Sequence, residues 1–191
     1  MLRFALRAVR RPLTLGALAT IAMLGACADQ TPVAPDRQPA GPPQLAARSD
    51  PESEAVATLR YATRRYRDLD AAVADGFVLR LRCEERSGGA SGDVYINTER
   101  AYDGVLYPEV PDGLIYEPGT DGRAKLVGVV MAWGVRTGED PPTKQFLGTA
   151  LAQIYPGPTN LRIYAVNVWA WRDNPNGLTA VENPRVSCGG A

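Results

Sequence analysis

Apolar positions along the chain fall into three patterns, and each predicts a different kind of element. Between residues 51 and 75 they recur at three- and four-residue steps: Val56, Leu59, Ala62, Tyr66, Leu69 and Val73. That is the period of a helix with one buried face. Asp50 is placed to cap its start, Pro51 suits the first turn, and Glu52 and Glu54 suit the positive end of the dipole. Gly76 is the natural stop. Arg60, Arg64, Arg67 and Asp68 fall mostly on the opposite, solvated side. One long N-terminal helix over 51–75 is therefore predicted.

From residue 77 the period changes to two, the mark of strands with one buried face. Phe77, Leu79, Leu81 and Cys83 alternate with Val78, Arg80 and Arg82, which puts Cys83 on the core side. Residues 93–97 read as a short strand. Residues 114–117 and 125–133 flank Pro118-Gly119-Thr120-Asp121-Gly122-Arg123, a hairpin signal. The second arm is apolar on both faces (Val127, Val129, Met131 and Trp133 against Leu126, Val130 and Ala132), so it should be central. Residues 151–155 and 161–171 complete the strands. In the last, Tyr164, Val166, Val168 and Ala170 form one face, and Ile163, Ala165, Asn167, Trp169 and Trp171 the other. The fold class expected is α+β: one long N-terminal helix packed on a mainly antiparallel sheet, over residues 50–191.

The third pattern is a short apolar run at 13–24. Arg3, Arg7, Arg10 and Arg11 precede it with no acid among them, and Gly25-Ala26 follows. Residues 1–26 have the layout of a secretory signal. The run is shorter than the roughly 20 residues a membrane span takes. Leu24-Gly25-Ala26-Cys27 looks like a bacterial lipobox, in which Cys27 receives lipid and becomes the new N-terminus. An ordinary cleaved signal with Cys27 incidental, or an uncleaved anchor, are the alternatives. Lipid would hold the chain to a membrane at about 0.8 kcal/mol per buried CH₂. Ala28, not an aspartate, follows Cys27. By resemblance to lipoprotein sorting this implies the outer membrane, facing the periplasm, in a cell with two membranes. Residues 27–49 carry Pro32, Pro35, Pro39, Pro42 and Pro43 among small and polar residues. They read as a disordered tether that cannot bury a core.

Charge and composition then narrow the function. The chain has 21 basic and 21 acidic residues. Removing 1–26 takes four arginines from the basic side, leaving 17 against 21, a net charge of −4. That provides no basic footprint for nucleic acid. The sequence has no histidine. This removes Ser-His-Asp and Cys-His catalysis and any His-ligated metal. No cofactor is expected. If Cys27 carries lipid, Cys83 and Cys188 remain as a pair, and an exported compartment favours their disulfide. The competing reading is two free thiols.

Three candidate chemistries follow. The first is a ligand groove on the 161–171 strand: Asn167 supplies hydrogen bonds beside the Trp169 and Trp171 indoles, for a small molecule, glycan or envelope protein. Its counterpart is a strand buried on both sides, with Asn167 satisfied by a loop backbone. The second is a cell-envelope hydrolase using a carboxylate pair drawn from Glu84, Glu85, Asp93, Glu99 and Asp103, beside the flexible Gly-rich loop 84–92. The third is a structural lipoprotein with no ligand. The oxygens of Asp173, Asn174, Asn176 and Glu182 do not fit calcium-loop spacing and read as a turn.

From Tyr66 onward the chain resembles a family of uncharacterised, exported bacterial proteins. The segments that carry this are 66–77, Gly92-Asp93-Val94-Tyr95-Ile96-Asn97, Pro108-Glu109 through Leu114-Ile115-Tyr116-Glu117, Leu126-Val127-Gly128-Val129, 164–177 and Asn183-Pro184-Arg185-Val186-Ser187-Cys188. In the family pattern a histidine stands at the position of Val94, a glutamate at Val130 and a histidine at Asn167. The resemblance implies an exported domain. These three departures imply a non-catalytic member, with no metal or acid-base site carried over.

Overall fold

The structure, a computed structural model, describes residues 50–155 and 161–189. The expected signal 1–26, Cys27 and the expected tether through residue 49 lie outside the described residues.

Helix α1 spans Pro51–Thr63. Asp50 caps it, accepting from Glu52 N at 3.4 Å, and Glu52 and Glu54 occupy the first turn. The long helix does not run on to residue 75. Arg64–Arg67 form a 3-10 turn, Asp68 is extended (φ −92°, ψ 116°), and α2 restarts over Leu69–Ala74. Two short polar side chains account for the break. The Thr63 hydroxyl donates back to Leu59 O at 2.6 Å, and the Asp68 carboxylate caps a new helix by accepting from Asp70 N at 3.0 Å. The break also shifts the phase of burial: Ala72 is buried and Val73 is 53% exposed. Gly76 (φ +86°) ends α2 in a Schellman arrangement, with Gly76 N bonded to Val73 O and Phe77 N to Ala72 O.

A six-stranded antiparallel sheet follows. Its strands are β1 Val78–Leu81, β4 Asp93–Ile96, β5 Gly113–Pro118, β6 Ala124–Arg136, β9 Ala152–Tyr155 and β10 Leu161–Val168, in the order β1-β4-β5-β6-β10-β9. β2 (Glu85–Arg86) with β3 (Gly89–Ala90), and β7 (Gln145–Phe146) with β8 (Thr149–Ala150), are two-residue ladders, and α3 covers Thr98–Ala101. β6 is flanked on both sides, Gly113 facing Val130 on one and Asn167 facing Val130 on the other. Both faces of β6 are apolar as expected, but the register shift opposite Ile115 and Tyr116 exchanges two residues between them: Leu126 packs with Val129 and Met131, and Val127 with Val130 and Ala132. The β5–β6 hairpin closes where expected, Gly119 N donating to Arg123 O at 2.8 Å.

Both faces of the sheet are buried. On one, Leu114, Tyr116, Val129, Met131, Val166 and Val168 pack with Leu59, Tyr66 and Ala72 from the helical segment. On the other, Ile115, Val127, Val130, Ala132 and Ala165 pack with Trp169 and Val186, and with the partly buried Cys83 and Cys188. A register shift between Leu79 and Leu81 divides β1 between them: Phe77 joins the helix-side core, while Leu81 and Cys83 pack on the opposite one. The alternation through residues 77–83 therefore does not keep one face, because a bulge adds a residue and reverses the sides. The loop 84–92 is pinned rather than free. Gly89 (φ +121°) lies so close to the Asn183–Pro184 backbone that a Cβ would meet it at 2.3 Å, and Ala90 and Asn183 exchange backbone bonds at 3.0 and 3.2 Å.

Candidate functional site

Asn167, Trp169 and Trp171 do not share one face. The β10 ladder ends at Val168, so strand alternation stops there. Trp169 is 2% exposed within the core opposite the helices, and its Nε1 donates to Ala180 O at 2.7 Å. Asn167 donates from Nδ2 to Val181 O at 3.0 Å. Its amide thus finds a backbone partner on the segment after β10, which is how a half-buried amide is kept from an unmet bond. Beyond Val168 the chain turns, Trp171 N donating to Val127 O at 3.1 Å. Trp171 lies on the helix side, with Nε1 donating to Thr63 Oγ1 at 2.9 Å.

Cys83 and Cys188 form the disulfide, with Cα atoms 5.3 Å apart across a sequence separation of 105. The carboxylates around the Gly-rich loop mostly hold structure. Asp93 accepts from Cys83 N at 2.8 Å, Glu85 from Cys188 N at 3.1 Å, and Glu84 pairs with Arg86 at 2.6 Å. Asp103 accepts from Val105 N at 2.9 Å. Glu99 lines a separate depression with Tyr102 and Glu139.

A cleft of about 620 Å³ opens beside Trp171. Besides Trp171, its walls come from three places in the chain: Arg67 at the end of the 3-10 turn, the β5–β6 hairpin from Glu117 to Leu126, and Ser187 and Gly189 on either side of the disulfide cysteine Cys188. The indole wall is fixed at its polar edge by Thr63, which is fully buried. The Arg67 guanidinium lies 5.7 Å from the indole ring centroid. Glu117 is already engaged, accepting from Arg172 at 2.7 Å and from Ser187 N at 3.1 Å. Asp121 accepts from Arg123 N at 3.0 Å and lies 3.7 Å from its Nε. Among the described residues, Arg67 and Lys125 make no ion pair.

Of the three residues the strand pattern singled out, this cleft contains Trp171. Arg67 and Lys125 were not anticipated as partners. Arg67 reads locally as one of several arginines on a solvated helix face, and Lys125 as the start of a strand. Only the topology brings them together.

Burial shapes two ionisable groups elsewhere. Asp112 is 1% exposed, and desolvation pushes its carboxyl up to about 7, opposed by the bond it accepts from Ala132 N at 2.7 Å. Burial also pushes the Tyr116 phenol up, and its hydroxyl donates to Tyr66 O at 2.6 Å, joining sheet to helical segment. Val94 and Val130 lie in the same core, and Val130 faces Asn167 across the β6–β10 ladder. Among the described residues no cluster of three or more His, Cys, Asp or Glu side chains is placed to hold a metal ion. No family model, curated protein or solved structure matches this chain.

Proposed function

We propose that the chain is an envelope lipoprotein of a two-membrane bacterium, anchored through Cys27, whose folded part is a non-catalytic binding domain. The signal, the lipobox-like Leu24-Gly25-Ala26-Cys27 and the Pro-rich tether support export and anchoring. The resemblance to exported bacterial proteins agrees with that placement. The observation that carries the binding reading is the cleft beside Trp171. It is of small-molecule size, has a fixed aromatic wall, and holds two cations without ion partners among the described residues. Asn167 and Trp169 belong to its support: both are spent on backbone carbonyls and hold the segment that leads on to Cys188. Most of the candidate acids are engaged with backbone or arginine, which favours binding over a carboxylate-pair hydrolase.

Native mass spectrometry on the mature protein from its own membranes tests this. The expected result is lipid on Cys27, a mass lower by the two hydrogens of one disulfide, and a small-molecule adduct. An unmodified Cys27 overturns the anchor. The correct covalent mass with no adduct replaces the binding domain with a structural one.

A further inference from the structure

We propose that the Trp171 cleft is an oxyanion site. It takes a small organic anion whose carboxylate or phosphate meets Arg67 and Lys125 and whose flat apolar body lies against the Trp171 indole. This inference rests on the binding reading above and adds the ligand's chemical class.

The charge pattern is the first argument. Five charged side chains line the cleft, and its two acids are already occupied. Glu117 is matched by Arg172 and by Ser187 N, and Asp121 by Arg123. What remains for a ligand is cationic, although the mature chain as a whole is acidic. An anion there gains attraction without displacing an internal pair. A metal ion or an organic cation would have to take Glu117 from its two donors.

The second argument is the fixed wall. The indole N–H is spent on Thr63, whose hydroxyl is in turn bonded to Leu59 O, so the ring has its orientation before any ligand arrives. A preordered aromatic surface limits the entropy lost on binding. The Arg67 guanidinium lies over the ring, 5.7 Å from its centroid, and so places charge on that surface. A ligand with an oxyanion on a flat ring therefore meets both features at once. Arg67 offers a planar fork suited to carboxylate or phosphate, and Lys125 a point charge.

The third argument is size. A volume of about 620 Å³ lies within the 300–1,000 Å³ typical of small-molecule sites. Two solvent-facing ion pairs contribute only modestly each, so the discrimination expected from them is about tenfold.

The test uses the full mature protein in neutral detergent, titrated with benzoate, phenyl phosphate and the neutral isostere benzamide. Tryptophan fluorescence and calorimetry are followed against a micelle blank. The expected result is that at least one anion binds about tenfold more tightly than benzamide. Added salt should weaken that binding, and R67A/K125A should remove the preference while leaving the unfolding midpoint within error of the parent. Both side chains are exposed, so that variant keeps its fold. A preference for benzoate points to carboxylate ligands, and one for phenyl phosphate to phosphates. Equal binding of benzamide at Trp171 overturns the anion class and leaves the binding domain standing. Absence of binding by every probe overturns the oxyanion site, and the adduct in native mass spectrometry then decides the binding reading separately. Anion binding that survives R67A/K125A also overturns the assignment.

Discussion

The two faces of the sheet bury comparable apolar rows and are closed by different physics. On the helix side the cover is periodic. Leu59, Tyr66 and Ala72 pack with Tyr116, Val129 and Met131, so burial and dispersion carry this side, with Tyr116 Oη to Tyr66 O and Trp171 Nε1 to Thr63 Oγ1 as directional links. On the opposite side part of the cover is the irregular segment after β10, which has few large apolar residues. Directional bonds from side chains to backbone hold it: Trp169 to Ala180 O, Asn167 to Val181 O, Asn174 to Glu182 O at 2.9 Å and Asn183 to Asp173 O at 3.2 Å. The disulfide closes its far end. Each such bond contributes about 1 kcal/mol net, but leaving a buried partner unmet costs about 1–3 kcal/mol. The helix side should therefore tolerate conservative apolar exchange, and the other side should fail when one polar anchor is lost.

The sharpest way to break this comparison is to truncate the two tryptophans separately. Trp169→Ala removes a fully packed indole and orphans Ala180 O, and should lose about 3–5 kcal/mol in urea unfolding. Trp171→Ala removes a rim indole and one bond to Thr63, and should lose about 1–2 kcal/mol. Equal losses would mean that the two indoles are not in different environments and would remove the basis for assigning Trp171 to a cleft.

Next in size is the crosslink. Cys83→Ser with Cys188→Ser opens a loop of 105 residues and should lose about 2–5 kcal/mol. In native-state hydrogen exchange the amides of 178–189 should lose protection well before those of α1. If α1 opens first, the claim that the disulfide side depends on its pins is wrong.

The same contrast explains what could be read from the chain. The β5–β6 hairpin, the central placement of β6, the antiparallel sheet and the Cys83–Cys188 pair were legible. Each rests on a local period, a turn signal or a count of cysteines. The helix was legible in its cap and its stop but not in its middle. Asp68 looks like any solvated helix residue until its carboxylate is seen capping α2. The bulge in β1 leaves no composition mark, so the two-residue period alone puts Leu81 and Phe77 on one face. Asn167 was legible as an amide in need of a partner, and the alternative of a loop backbone is the one the geometry provides. The cleft was the least legible part. Arg67, Lys125 and Trp171 are separated by long stretches of chain, and no period connects them.

Asp112 gives the smallest and most selective probe. Glu85, which accepts from Cys188 N on the disulfide side, is exposed, and the four pins named above, amides and an indole, carry no titrating proton. Asp112 is a buried polar anchor that does. Its oxygen accepts from Ala132 N, its own N donates to Val130 O at 3.2 Å, and its carbonyl accepts from Asn97 N at 2.9 Å. Its folded-state value, about 7, lies above the ordinary 3.8. The unfolded chain therefore releases this proton first as pH rises. The stability it contributes is fully present below about pH 4 and is lost progressively as pH climbs to about 7. Asp112→Asn keeps an oxygen to accept from Ala132 N and removes the charge. It should gain about 1–3 kcal/mol over the parent at neutral pH, gain little or nothing at pH 4, and flatten the slope between. Unfolding midpoints measured across that range decide it. A parent whose stability rises from pH 4 to 7 just as steeply with and without Asp112 would show that this carboxyl is ionised in the folded chain and that burial is not what sets it.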